Sequence, residues 1–160
     1  MSLKIFLAGA AGVIGRRLLP LLIERGYEVH GTTRSSARGT DLERWGARPV
    51  VLDAFDRRAV LAAVAAIRPD VVVHQLTDLS HGFEPEKVAE TLARNSRLRT
   101  EGTRNLVEAA RAAGVRRLIA QSIAWLYAPG REPHREDDPL DGAAEGTRAV
   151  TVQGVARRQR

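Results

Sequence analysis

One hundred and sixty residues make one domain's worth of chain, 44% hydrophobic and 28% charged, enough to bury a core and ordinary for a globular protein. There is no cysteine, so disulfides, thiolate metal sites and a cysteine nucleophile are excluded, and apolar runs of a few residues fall far below the roughly 18–20 that cross a bilayer. The net charge of +6 comes from arginines scattered along the chain, with aromatics at 4%, which predicts a basic surface rather than a nucleic-acid face with stacking platforms.

The chain opens directly into a strand pattern with no basic-plus-apolar leader, so no signal peptide is expected and the cytoplasm is the expected location. The first apolar run, Leu3–Ala8, reads as a strand and is followed by a helical pattern over Gly12–Arg25. Pro20 falls inside that helix and is expected to kink it, at about 3 kcal/mol if unrelieved. A second strand over Glu28–Thr33 leads into a helix over Ser36–Trp45. A third over Arg48–Leu52 leads into a helix over Asp56–Ile67, with Pro69 just beyond it. The fourth strand, Val71–His74, precedes one long helical stretch near Pro85–Ala113 and a fifth strand over Arg117–Gln121. Gly26, Gly46 and Gly114 each fall just after a helical run, where a left-handed C-cap is wanted.

Beyond residue 121 the rhythm is lost. Pro129, Gly130, Pro133, Pro139, Gly142 and Gly146 mark a long loop, with room for a helix starting near Thr151 and an arginine cluster at Arg157-Arg158-Gln159-Arg160. The alternation of short strands and longer helices predicts βαβ units and a Rossmann-like, doubly wound parallel α/β sheet of strand order 3-2-1-4-5. That sheet is expected to occupy residues 1–121, with 122–160 an irregular loop and the start of the next helix.

Between the first strand and first helix stands Gly9-Ala10-Ala11-Gly12-Val13-Ile14-Gly15. A strand that ends in a glycine turn and opens a helix is a device for holding a pyrophosphate. The turn bares backbone N–H groups, the helix N-terminus adds partial positive charge, and missing side chains let the phosphates approach. Gly9, Ala11, Gly12, Val13, Ile14 and Gly15 are the candidate contacts. The alternative is a glycine-rich turn used only for packing.

The spacing Gly-x-x-Gly-x-x-Gly resembles the short-chain dehydrogenase/reductase superfamily, especially its extended branch of NAD(P)-dependent epimerases and dehydratases. Val50-Val51-Leu52-Asp53-Ala54-Phe55-Asp56 is similar to that branch's segment after the third strand. The resemblance implies that Asp53, with Ala54, meets the adenine, Asp53 accepting a hydrogen bond from its amine, and that Asp56 caps the next helix. Val72-Val73-His74-Gln75-Leu76-Thr77 resembles the segment lining the inner ribose and the nicotinamide, which implicates Gln75 and Leu76. Gly102-Thr103-Arg104-Asn105-Leu106-Val107-Glu108-Ala109-Ala110 matches the long helix before strand five. Each single residue keeps a second reading: Asp53 as a strand-end turn former, His74 as a satisfied polar residue beside the sheet, and Asn105 as helix surface or a helix-to-loop hydrogen bond.

Cofactor choice is read at the end of the second strand, where a carboxylate holds the ribose hydroxyls of NAD and repels the 2′-phosphate of NADP. Here Glu28-Val29-His30-Gly31-Thr32-Thr33-Arg34-Ser35-Ser36 carries no acid at the strand end, but Arg34 between the Thr33 and Ser35 hydroxyls. A guanidinium holds a phosphate bidentately, so NADP is favoured over NAD; the alternative is a solvated loop arginine.

In the resembled superfamily a Tyr-x-x-x-Lys pair carries the chemistry, the lysine and cofactor lowering the tyrosine pKa from about 10 so that it serves as a base. The only tyrosines here are Tyr27 and Tyr127, and four residues beyond them stand Gly31 and Arg131. Gln121-Ser122-Ile123-Ala124-Trp125-Leu126-Tyr127 resembles the family's Ser-Ser-x-x-Val-Tyr-Gly stretch, which leaves Ser122 as the candidate catalytic hydroxyl and makes Tyr127 structural. Glu136-Asp137-Asp138-Pro139-Leu140 is similar to the acidic segment before the active-site helix. Where tyrosine and lysine are due, the chain reads Thr151-Val152-Gln153-Gly154-Val155.

The resemblance covers about residues 3–140, and extended members continue well past residue 160, so the chain is expected to be an N-terminal part that lacks the last strands and the substrate lobe. The implied function is the NAD(P)-binding domain of an epimerase/dehydratase-like oxidoreductase, not independently catalytic, with a nucleotide-sugar or similar small-molecule substrate in a full-length relative. The alternatives are a non-catalytic module that senses NADP(H) or scaffolds a partner, and an unstable truncation. Neither nucleic acid, membrane nor metal is expected as a partner. The active-site helix through which family members often dimerise is barely begun, which counts against dimerisation.

Overall fold

A computed structural model gives the protein's structure and describes residues 2–78, 84–130, 132–146, 148–149 and 151–152. Those residues fall into two compact units, residues 2–77 with 102–121, and 78–101 with 122 onward. The predicted Gln153-Gly154-Val155 stretch and the arginine cluster at 157–160 lie outside the described residues. Among those described, no helix is long and apolar enough to cross a membrane.

The first unit is built on five parallel strands in the order β3-β2-β1-β4-β5, as the sequence pattern predicts. They are β1 (Lys4–Ala8), β2 (Glu28–Thr33), β3 (Arg48–Val51), β4 (Val71–His74) and β5 (Arg117–Ala120). The central strand runs in register with both neighbours, Leu7 opposite Gly31 and Ala8 opposite His74. Alternation along β1 divides the core. Ile5 and Leu7 pack with Leu19, Val29, Leu42, Ala47 and Val73 on one face. Phe6 and Ala8 pack with Val60, Val64, Val72, Leu106 and Ala109 on the other. A strand buried on both faces has to read as an apolar run, which is why Ile5-Phe6-Leu7-Ala8 shows no polar alternation. Full burial of a residue such as Phe6 or Leu19 contributes about 1.5–3 kcal/mol.

The flanking helices are α1 (Val13–Glu24), α2 (Ser36–Arg44), α3 (Arg57–Ile67) and α5 (Thr103–Ala112), with α4 (Val88–Arg97) in the second unit. Gly12 and Asp56 stand at N-caps, and Gly26, Gly46 and Gly114 take positive φ after their helices. The helix α1 runs unbroken through Pro20 from Val13 to Glu24. The stretch read as one long helix is instead a 3-10 turn (Pro85–Lys87), α4, a π-helical turn (Leu98–Gly102) and α5. The Thr100 hydroxyl donates to the carbonyls of Ser96 (3.0 Å) and Arg97 (3.1 Å), competing with the helical ladder where it widens. Period alone does not separate an α-turn from a π-turn.

In the second unit the proline- and glycine-rich stretch is closed by an antiparallel bridge between Tyr127 and Leu140, over a small cluster of Leu126 and Val152 with Ile123, Leu140 and Ala144. Asp141 is buried and accepts from Arg148 Nε at 2.6 Å, while Arg148 Nη2 donates to the Tyr127 carbonyl. Helical backbone is in place by residues 148–149, before the expected start near Thr151, because the Ala149 N–H already donates to the Glu145 carbonyl.

Candidate functional site

Parallel strands all end on the same edge of their sheet, so the segments after β1, β2, β3 and β4 share one rim. The chain leaves β1 toward β2 on one side, and β4 lies on the other. The resulting crevice outside the strand ends is where doubly wound sheets take their ligands. Gly9–Gly15, Arg34, Asp53–Ala54 and Gln75–Leu76 all fall on that rim.

Two glycines of the turn are there for a steric reason. Gly9 has φ +90°, which an L side chain rarely adopts, and a Cβ on it would lie 2.9 Å from the Gln75 carbonyl carbon. A Cβ on Gly15 would lie 2.2 Å from the Gly9 carbonyl oxygen and 2.6 Å from that of Ala10. The turn is closed by the Gly12 N–H donating to the Gly9 carbonyl at 3.0 Å, and tied to β2 by the Gly9 N–H donating to Thr32 Oγ1 at 3.0 Å. Helix α1 then begins with no side-chain cap and no acidic residue in its first turn. Its first N–H groups have no intrahelical acceptor and carry the positive end of the helix dipole. Beside them Val13 and Ile14 are exposed, 76% and 44%, an uncovered apolar pair at an anion-ready helix start.

After β2, Arg34 is exposed, and the flanking hydroxyl oxygens accept from backbone N–H groups. Thr33 Oγ1 accepts from the Ser35 N–H at 3.2 Å, and Ser35 Oγ caps α2 by accepting from the Arg38 N–H. Helix α2 also has no acid in its first turn, where exposed Arg38 stands close in sequence to Arg34.

After β3, Asp53 Oδ1 accepts from the Phe55 N–H at 2.9 Å, an Asx turn that leaves the carboxylate exposed. Asp56 caps α3 by accepting from the Ala59 N–H at 3.0 Å. The neighbouring Ala54 is buried, and its carbonyl accepts from Asn105 Nδ2 at 2.9 Å. Of the two readings left for Asn105, the structure gives the helix-to-loop hydrogen bond.

After β4, His74 is buried. Its Nδ1 accepts from the Leu76 N–H at 3.2 Å, so in the neutral ring Nε2 carries the proton and donates to Thr103 Oγ1 at 2.9 Å. These two contacts make His74 a satisfied polar residue that shapes the Gln75–Leu76 turn. Gln75 Oε1 is buried with no hydrogen-bond partner among the described residues.

These features fit a dinucleotide. The glycine cradle is a space that a Cβ would fill, the first turn of α1 carries no acid, and the buried Gln75 amide oxygen has no partner among the described residues, which costs about 1–3 kcal/mol if nothing meets it. Ser122 belongs to the second unit and is exposed. Nearby in that unit the Tyr127 ring stacks on His134 at 5.1 Å. His134 Nδ1 lies 3.1 Å from Asp138 Oδ2. The Arg135 N–H foremost, and then His134, hold the Asp138 carboxyl below its ordinary range.

Sequence reading missed Thr32, Thr103 and the bidentate pair of Arg57 with Glu108. The Arg57 hydrogen bonds hold the Glu108 carboxyl below its ordinary range. Only pairing between residues some fifty positions apart would have revealed the last of these, and no local pattern carries it.

Comparison with known proteins agrees with this geometry. Residues 5–147 match the NAD dependent epimerase/dehydratase family. The chain is 48% identical over 161 residues to a 3-diazoavenalumate denitrifying reductase from a Streptomyces species, covering 99% of this chain and 51% of that protein. It is 33% identical over 150 residues to dTDP-4-dehydrorhamnose reductase of Streptomyces griseus, covering 94% of this chain and 41% of that protein. The crystal structure of the Bordetella bronchiseptica enzyme WbmG, in complex with NAD and UDP, superposes with a TM-score of 0.77 at 22% identity, covering 98% of this chain and 49% of that one. The chain thus spans about half the length, or less, of the relatives it matches.

Proposed function

The chain belongs to the NAD-dependent epimerase/dehydratase family, and from that premise we propose that its five-stranded unit binds a nicotinamide dinucleotide, NADP in preference to NAD, as part of a reductase- or epimerase-like oxidoreductase. The observation that carries this is the uncapped start of α1 beneath three glycines, two of which have no room for a Cβ. There the N–H groups of Val13, Ile14 and Gly15 hold the pyrophosphate. Arg34 meets the 2′-phosphate, with the first turn of α2 behind it. Asp53 accepts from the adenine amine beside Ala54, and Gln75 and Leu76 line the far half of the ligand. When bound, the nicotinamide exchanges hydride with a carbonyl or hydroxyl carbon of a small molecule, of the nucleotide-sugar kind or similar. Ser122 donates a hydrogen bond to that molecule's oxygen. The reading takes the chain to act in the cytoplasm.

A second reading, a module that senses NADP(H) or scaffolds a partner without catalysis, is favoured by one observation: these 160 residues contain no Tyr-x-x-x-Lys. Phenolate chemistry has no source within them, and a lone serine hydroxyl is a poor general base at neutral pH. We expect the 160-residue chain to bind NADPH without oxidising it when offered a panel of aldehydes, ketones and nucleotide-keto sugars. Absorbance of the reduced cofactor would follow this. Steady oxidation that is lost in Ser122→Ala would show instead that the chain is catalytic on its own.

A further inference from the structure

Helix α5 supplies none of the ligand contacts proposed above, yet its polar residues reach beneath the rim at two places. Asn105 is 1% exposed, on a helix whose Leu106, Ala109 and Ala110 are buried as well. A buried amide left without a hydrogen bond costs about 1–3 kcal/mol, so its partner matters. Its Nδ2 donates to the Ala54 carbonyl at 2.9 Å, on one side of the Asp53–Asp56 turn. One helical turn along α5, Glu108 takes the other side: Arg57, the first residue of α3, donates through Nε to Glu108 Oε2 at 2.8 Å and through Nη2 to Oε1. Inside the bracketed turn the Asp56 N–H donates to the Asp53 carbonyl at 3.0 Å, and the Asp53 side chain accepts from Phe55. The carboxylate of Asp53 is thus carried on a loop gripped at both ends by one rigid helix. The same helix holds the neighbouring strand end, through Thr103 and His74 to the Leu76 N–H.

We infer that Asn105, with Glu108, is a positioning residue for adenine recognition: it presets the Asp53–Ala54 loop so that the ligand need not order it on binding, a role that rests on the dinucleotide reading above. A preset loop shows itself as affinity for one half of the ligand, whereas a merely structural residue shows itself as stability alone.

The test is calorimetric titration of the wild-type chain and Asn105→Leu with adenosine 2′,5′-bisphosphate, which has the adenine, and with pyrophosphate, which has only the group held at the glycine turn. The expected result is about tenfold weaker binding of the bisphosphate and unchanged binding of pyrophosphate. Unchanged bisphosphate affinity in the folded variant, or equal losses for both probes, would overturn the positioning role. Should Asn105→Leu fail to fold, Glu108→Gln decides on the solvent side of the bracket, with about threefold loss for the bisphosphate alone expected and no loss overturning it. A wild-type chain that binds neither probe would overturn the dinucleotide reading and the positioning role together.

Discussion

Replacing Gly15 with alanine is expected to abolish dinucleotide binding and to destabilise the fold by about 2–3 kcal/mol. The added Cβ would sit 2.2 Å from the Gly9 carbonyl oxygen and 2.6 Å from the Ala10 carbonyl oxygen. Both are backbone atoms, so no side chain can rotate away. Relief requires either the first turn of α1 to shift or the Gly9–Gly12 turn to open, and each moves the N–H groups away from a shared focus. Gly26→Ala is the matched control. Gly26 also has positive φ (+75°) but nothing lies within 4 Å of its added Cβ, so it should lose about 1 kcal/mol to backbone strain and keep its affinity. Thermal unfolding and NADPH titration of the two variants separate a steric cradle from a generally strained chain. A Gly15→Ala protein that binds as tightly as wild type would refute the cradle.

The second large effect is expected at Arg34. Arg34→Ala should weaken NADPH and NADP by about ten- to a hundredfold and leave NAD within about twofold, since an exposed arginine adds little to a ligand without the 2′-phosphate. The Thr33 and Ser35 hydroxyl oxygens accept from the Ser35 and Arg38 N–H groups, which orients them in the local turn and the α2 cap beside Arg34. The loss should shrink as salt is raised, because the interaction lies at the surface within reach of screening ions. Equal weakening of NAD and NADP would assign Arg34 to general attraction rather than to selection, and no change would make it a solvated loop arginine.

The fold was legible because its strongest signals are local. Apolar runs at β1 and β4 mark strands buried on both faces, and Gly26, Gly46 and Gly114 announce helix stops, all within a few residues of sequence. The glycine cradle was legible for the same reason, since strand, turn and helix are contiguous. What lay beyond reach depends on contacts between distant residues or on fine helical geometry. Asn105 meets Ala54, Arg57 meets Glu108 and Thr32 meets Gly9 across loops whose closure no local period encodes. The π-turn at Leu98–Gly102 differs from α-helix by hydrogen bonds that reach one residue further, below what apolar spacing resolves. His74 illustrates the middle case. Its position at the end of β4 was readable, but whether it met ligand or protein was settled only by Thr103, 29 residues on.

The most direct measurement is calorimetric titration of the purified 160-residue chain with NADPH, NADP and NAD under one buffer. A working dinucleotide unit predicts saturable micromolar binding with the phosphorylated forms preferred. A cooperatively folded chain that takes up none of the three would contradict it, and would leave the glycine turn as packing alone.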